Sequence, residues 1–289
     1  MRLRAVLGLF LALLCTGCGG VRRATTTTTT TTTVAKPTAP SGLRVGIVGP
    51  LALDVPGVVA VRGTLDGLDT SLVLVSAETH GVAAVLAAAQ AQPATHFALV
   101  GASTKGHRAP NLAGLVLEDD QAALIAGYVA GLVAQDAGTR APRVAWVGPV
   151  EHGLARAFAR GVHRALPGAA VLDEWSRSIP GWCKEAALGA IERGAMVVMA
   201  HGGLCARAAI AGAHEQNVPG LRLGEFEFPD LVANVVARDA VAGVFHGGED
   251  IVFGAASGAV GVGALDPLIP LATVGRARAA LQDLAGGRP

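Results

Sequence analysis

The sequence predicts an α/β fold of two doubly wound, Rossmann-like lobes joined by a hinge. Three observations lead there. Short β-rich runs alternate with alanine-rich helical stretches along the body, the pattern of parallel βαβ units. The alternation stops once, at the loop-forming cluster Gly138-Thr139-Arg140-Ala141-Pro142, and then restarts. The body after residue 42 spans roughly 245 residues, enough for two lobes of ordinary domain size.

Before that body lie two segments outside the fold. Arg2 and Arg4 precede an apolar run over 5–14, too short to span hydrocarbon, and Thr16-Gly17 supply small residues ahead of Cys18. The pattern resembles a lipoprotein lipobox, which implies a signal peptide over 1–17, cleavage before Cys18 and lipid on its sulfur. Cys15 departs from the leucine usual at its position, and the bulky Leu14 before it disqualifies Cys15 as the lipid site. Residues 18–42 then read as a disordered tether, because the unbroken run Thr25 to Thr33 followed by Pro37 and Pro40 offers no apolar surface to offset the entropy of ordering. The expected location is the extracytoplasmic face of a membrane, held there by lipid.

Composition narrows the function further. The chain is 51% hydrophobic and 16% charged with a net charge of +1, and its basic residues are scattered, so no electrostatic footprint for nucleic acid exists. No later stretch supplies the ~20 apolar residues of a membrane span. The eight histidines show no zinc-type spacing. Neither a Gly-x-Ser-x-Gly elbow nor a phosphate-binding Gly-x-x-x-x-Gly-Lys-Ser/Thr loop occurs, so the reading is of a protein that is not an enzyme and carries no cofactor.

The elements follow in order. Strands are predicted at 43–48, 71–75, 96–100 and 111–117, with a helix between the second and third through Val82, Val85, Leu86 and Ala89. Asp119-Asp120 opens a helix with a small residue on nearly every turn, which predicts close packing against something flat. After the Gly138–Pro142 cluster come a strand over 143–147, a helix over 154–166, strands over 170–175 and 196–200 with a helix over 184–193 between them, and a helix over 206–215. Strands are then expected at 221–226 and 231–236, a short helix from Asp239, extended chain at 250–256 and 261–265, and a final helix over 274–284. This places lobe 1 at 43–140 with about 236–260, and lobe 2 at 141–235 with about 261–289.

Two cysteines remain in the body, Cys183 and Cys205, each expected at the start of a helix. In an oxidising compartment such a pair invites a disulfide, and a Cys–His metal site with His201 is the alternative.

Against this frame a family likeness becomes specific. Asn111-Leu-Ala-Gly-Leu-Val-Leu-Glu118, then Gln121-Ala-Ala-Leu-Ile-Ala-Gly127-Tyr-Val-Ala-Gly-Leu132, resembles the signature of the basic membrane protein family, the substrate-binding lipoproteins of ABC importers related to a purine nucleoside receptor. Val144-Ala-Trp-Val-Gly148, Phe158-Ala-Arg-Gly161 and the tail Ala259-Val-Gly-Val-Gly-Ala-Leu-Asp-Pro267 extend the likeness over nearly the whole body. It implies a type I periplasmic-binding-protein-like clamp, a small-molecule ligand of nucleoside kind, and ABC permease and ATPase partners on other chains.

The resemblance also implies a ligand held between aromatic rings, with carboxylates reading the ribose. The family's Asp-x-x-Phe-Asn after the first strand is missing, replaced by Gly49-Pro-Leu-Ala-Leu-Asp-Val-Pro56. Candidate ligand contacts are therefore Trp182 for stacking, Phe226 at the family's carboxylate position with Glu225 and Glu227 beside it, Ser103 and Thr104 after the third strand, and Gly202 and Gly203 after the 196–200 strand. Strand alternation puts Glu225 and Glu227 on one side and Phe226 with Phe228 on the other. A second reading keeps the clamp but assigns it to a sensory or scaffold lipoprotein whose cleft has degenerated.

Overall fold

Strand β1 (Leu43–Val48) buries Val45, Ile47 and Val48 and lies between β2 (Val58–Arg62) and β3 (Leu72–Ser76). With β4 (His96–Val100), β5 (Leu112–Leu117) and the distant β10 (Asp250–Phe253) these strands form a six-stranded parallel sheet in the order β10-β5-β4-β3-β1-β2. The central strands are apolar throughout because both faces are covered. On one face α1 (Val82–Ala91) packs Val85, Ala88 and Ala89 against Val73, Val75, Phe97 and Leu99. On the other, α6 (Pro229–Val241) packs Val232, Ala233, Val236 and Ala237 against Val45, Ile47, Leu72, Leu74 and Ala98.

This computed structural model describes residues 42–176 and 179–285, all within one compact unit. The leader, Cys18 and the threonine tether lie outside the described residues. None of the described helices is long and apolar enough to cross a membrane.

A second parallel sheet runs β7-β6-β8-β9, from β6 (Arg143–Gly148), β7 (Ala170–Trp175), β8 (Ala195–Ala200) and β9 (Gly220–Arg222). Helices α4 (Pro180–Glu192) and α5 (Leu204–Glu215) cover one face through Cys183, Ala187, Cys205 and Ala209. Helices α2 (Asp119–Asp136), α3 (His152–Ala165) and α7 (Leu271–Ala285) cover the other, around Trp146, Phe158 and Phe226. Two doubly wound lobes are thus present.

Their boundaries differ from the sequence expectation. The crossover was expected at Gly138–Pro142, after α2, but Ile125, Val129 and Val133 of α2 belong to the same apolar cluster as Val144 and Trp146 of the second sheet. The chain therefore leaves lobe 1 at Glu118, immediately after β5. It returns between Phe226, in the lobe 2 core, and α6, and leaves again between Phe253 and Val260. The last two crossings run antiparallel side by side. Glu227 bridges Val260, the Phe228 N–H donates to the Ala259 carbonyl at 2.8 Å, and the Gly261 N–H donates to the Phe226 carbonyl at 2.9 Å. Together with Glu118, whose N–H donates to the Phe253 carbonyl at 2.9 Å, they form the hinge.

Three local expectations also change. Residues 231–236 are helix, not strand: Val232, Ala233, Val236 and Ala237 repeat at helical spacing, and Pro229 and Asp230 start the helix where proline and an acid are favoured. Strand β9 ends at Arg222, where a 3-10 turn (Leu223–Glu225) takes over, and 261–265 pairs only through the hinge. Strand β2 was not foreseen; it follows β1 without a helix between them.

Cys183 and Cys205 are joined as a disulfide, with their Cα atoms 5.3 Å apart. The bridge ties the first turns of α4 and α5, which follow β7 and β8. Those strands flank β6 and are not neighbours, but the two helices pack together on one face of the sheet. Both thiols are consumed, which removes the Cys–His201 alternative. The Asp266 carboxylate, in the tail motif, accepts the Gly220 N–H at 2.6 Å and the Leu268 N–H at 2.9 Å, with His214 Nε2 at 2.6 Å, and so ties the tail to β9.

Candidate functional site

Parallel α/β sheets offer ligands the carboxyl ends of their strands. Here the carboxyl ends of both sheets frame a cavity of about 680 Å³. Lobe 1 contributes Glu78, two residues past β3. Lobe 2 contributes His201, Gly202 and Gly203 after β8, Leu204 and Arg207 from α5, and Arg222 through Glu225 at the end of β9 and in the turn that follows it. Glu227, in the hinge itself, completes the wall.

Glu227 is the most perturbed of these groups. Its Oε1 is shut off from solvent and accepts no hydrogen bond from any described residue. Burial, together with the carboxylates of Asp119 and Glu78, pushes its pKa up to about 7. Asp119, at the start of α2, is itself raised by desolvation and by Glu151 and Asp120. Carboxylates from three elements therefore crowd around Glu227, whose Oε1 lacks a donor.

His201 forms the floor. Its ring lies against Trp146 with centroids 4.8 Å apart, and its Nε2 faces the Pro149 carbonyl at 3.3 Å. Burial lowers its pKa against the opposing pull of Glu151 and that carbonyl, which favours the neutral imidazole. The ring fits because residue 148 is glycine: a Cβ there would run into the His201 ring. Arg222 donates to Glu225 Oε1 at 2.9 Å, so this pair neutralises itself.

The residues singled out from sequence divide cleanly. Gly202, Gly203, Glu225 and Glu227 line the cavity, and the two glutamates do share a side although a 3-10 turn replaces the expected strand. Phe226 does not: it is 0% exposed in the lobe 2 core, which corrects its expected place at the ligand. Trp182, on the first turn of α4, is 53% exposed and is not part of the lining. Ser103 and Thr104 also lie elsewhere. Their hydroxyls and the Thr104 N–H all donate to the Asp250 carboxylate, closing the loop after β4 onto the start of β10.

The segment 49–56, which stands where the family places its first aromatic, turns away from the cavity. Leu51 and Val55 enter the lobe 1 core, while Asp230 and Asn234 of α6 accept the Ala52 and Asp54 N–H groups at 2.8 and 2.7 Å. Among the described residues that line the cavity His201 is the one ring. Glu78, Arg207 and Arg222 were missed from sequence. Glu78 had a signal, since it follows the end of a recognised strand, whereas Arg207 required knowing that α5 begins at Leu204.

No protein-family model matches this chain, and no curated protein does. Solved structures do resemble it. An ABC transporter solute-binding protein from Conexibacter woesei DSM 14684 superposes with a TM-score of 0.57 at 19% identity, over 86% of this chain and 98% of that one. One from Aeropyrum pernix K1 gives 0.56 at 15% identity, over 84% and 90%. A transcriptional activator of the comK gene from Bacillus halodurans gives 0.60 at 14% identity, over 86% and 99%. At such identities the likeness is one of fold: this chain has the two-lobed architecture of ABC solute-binding proteins, while membership of the basic membrane protein family has no matching family model behind it.

Proposed function

We propose that this chain is an extracytoplasmic solute-binding lipoprotein. It captures a small polar ligand between its lobes and presents it, by hinge closure, to ABC permease and ATPase subunits made by other chains. It releases the ligand unchanged. The observation that carries the reading is the buried, donor-less Oε1 of Glu227 in a cavity framed by both lobes, because a buried carboxylate oxygen without a partner is costly unless a ligand supplies one.

The leader and Cys18 supply the proposed anchor, and the Cys183–Cys205 disulfide supports an oxidising compartment outside the cytoplasm. The sequence motifs propose descent from the basic membrane protein family. Its nucleoside ligand draws no support from the cavity, where no Phe, Tyr or Trp among the described residues lines the wall to stack on a base.

Titration calorimetry of the purified protein against nucleosides, bases, sugars and amino acids tests the reading. Heat from one class is expected. No heat from any class overturns capture and leaves the sensory or scaffold lipoprotein in its place. Separately, Cys18→Ala is expected to release the protein from membranes; retention in the membrane fraction overturns lipid anchoring at Cys18.

A further inference from the structure

The cleft has two poles of opposite sign, built by different elements. The acidic pole is Glu227 in the hinge and Glu78 after β3, backed by Asp119 on α2. The basic pole is on α5, in the wall of the same cavity. Arg207 projects from its first two turns, and the N–H groups of Gly202, Gly203 and Leu204 donate to no acceptor among the described residues. Gly203 caps the helix with no side chain to occupy those amides, and a Cβ built on it would meet open space. The N-terminus of a helix of 12 residues carries partial positive charge, and bare amides there suit a carboxylate.

The remaining pair in the lining, Arg222 and Glu225, satisfies itself and adds no net charge. What is left is a carboxylate pole short of donors and a cationic pole short of acceptors. A neutral solute enclosed between them leaves both uncompensated as water is expelled, which is costly. A solute carrying both charges on one short skeleton compensates both.

We infer that the cleft selects a small zwitterion of the amino-acid class, its ammonium donating to Glu227 and Glu78 and its carboxylate lying on the N-terminus of α5 beside Arg207. This rests on the reading of the cleft as a solute site and names the chemistry of the solute.

The test is titration calorimetry on the full chain in detergent at about pH 8, where the Glu227 carboxyl is largely ionised. The probes are the common L-amino acids one by one. For any that binds, its decarboxylated amine and its deaminated acid follow, and a hexose and a nucleoside are run alongside. An amino acid is expected to bind, and each half-charged analogue to bind at least about tenfold more weakly, the loss of one charge-assisted contact. Arg207→Gln, on an exposed side chain, is expected to weaken the amino acid about tenfold and to spare the amine; Glu227→Gln is expected to weaken it similarly and to spare the acid. Preferred binding of the hexose or the nucleoside, or an amine or acid that binds as tightly as the amino acid, overturns the zwitterion and leaves the solute site standing. Silence from every probe overturns both.

Discussion

Gly127 of α2 and Gly161 of α3 each face the backbone of the other helix: a Cβ on Gly127 would overlap the Phe158 carbonyl oxygen, and a Cβ on Gly161 would overlap that of Leu124. The two helices cross at backbone contact, with no side chain between them. Gly→Ala inside a solvent-exposed helix stabilises by up to about 1 kcal/mol. Here the sign reverses, because the helices must separate. Gly127→Ala is expected to destabilise lobe 2 by about 2–4 kcal/mol, read from chemical denaturation. A variant as stable as the parent contradicts this packing.

Glu227 gives stability a pH dependence. Its pKa in the folded chain is raised from 4.5 to about 7 by burial first and then by Asp119 and Glu78. The folded state therefore holds a proton that the unfolded state has released, and stability falls as pH rises from about 4.5 to about 7. Because the residue is only partly buried, the loss is expected on the order of 1–2 kcal/mol rather than the full value of the shift. Glu227→Gln removes it. Melting curves of the two proteins are expected to diverge as pH rises from about 4.5 to about 7 and to stay apart above it, with the variant more stable; parallel curves through this range would mean that Glu227 titrates normally.

Removing the disulfide lengthens the reach of the unfolded chain. The bridge closes a separation of 22 residues, for which the chain-entropy estimate is about 3 kcal/mol. Cys183→Ser with Cys205→Ser is expected to lower stability by roughly that amount, and the reduced parent is expected to match the double variant. Free thiol in the unreduced, denatured protein speaks against the bridge.

Asp250 separates a structural role from a binding one. Burial would raise its pKa, but the Ser103 hydroxyl, the Thr104 N–H and hydroxyl, and Arg108 together hold it below the ordinary value. That contribution is present above the unfolded pKa of 3.8 and is lost as pH falls below it. Asp250→Ala is expected to cost about 1–2 kcal/mol through lost hydrogen bonds while solute affinity stays unchanged. Reduced affinity in a variant of normal stability would return Ser103 and Thr104 to the site.

Trp182→Ala is expected to leave solute affinity unchanged as well, since its side chain does not line the cavity. Calorimetry on this variant separates the geometry of the cleft from the family pattern, which needs a ring from this loop.

Much of the lobe architecture was legible because strand cores such as Leu72 to Val75 and Phe97 to Val100 are apolar runs bounded by turn residues, and such runs report burial directly. Where it failed, the deciding information was long-range. Val232 to Val236 is rich in β-branched residues and reads as strand locally, but it is helical because the face of the lobe 1 sheet needs Val232, Ala233, Val236 and Ala237 together. The crossover was misplaced because nothing within α2 says which sheet it covers. At the site, strand-end rules found Gly202 and Gly203 but also put forward Ser103 and Thr104, whereas the family pattern led to Glu225 and Glu227 and, with them, to Phe226 and Trp182. A side chain's direction at a strand end depends on turn geometry, which alternation describes only while the strand lasts.

The three crossings leave neither lobe encoded by a continuous stretch of chain. During synthesis the β5 edge stays open until Phe253 has emerged, and the face of the first sheet stays bare until Val236 and Ala237 arrive. Neither half can be excised or transplanted by a single cut at each end. A nascent chain that still lacks its last quarter holds no finished half at all.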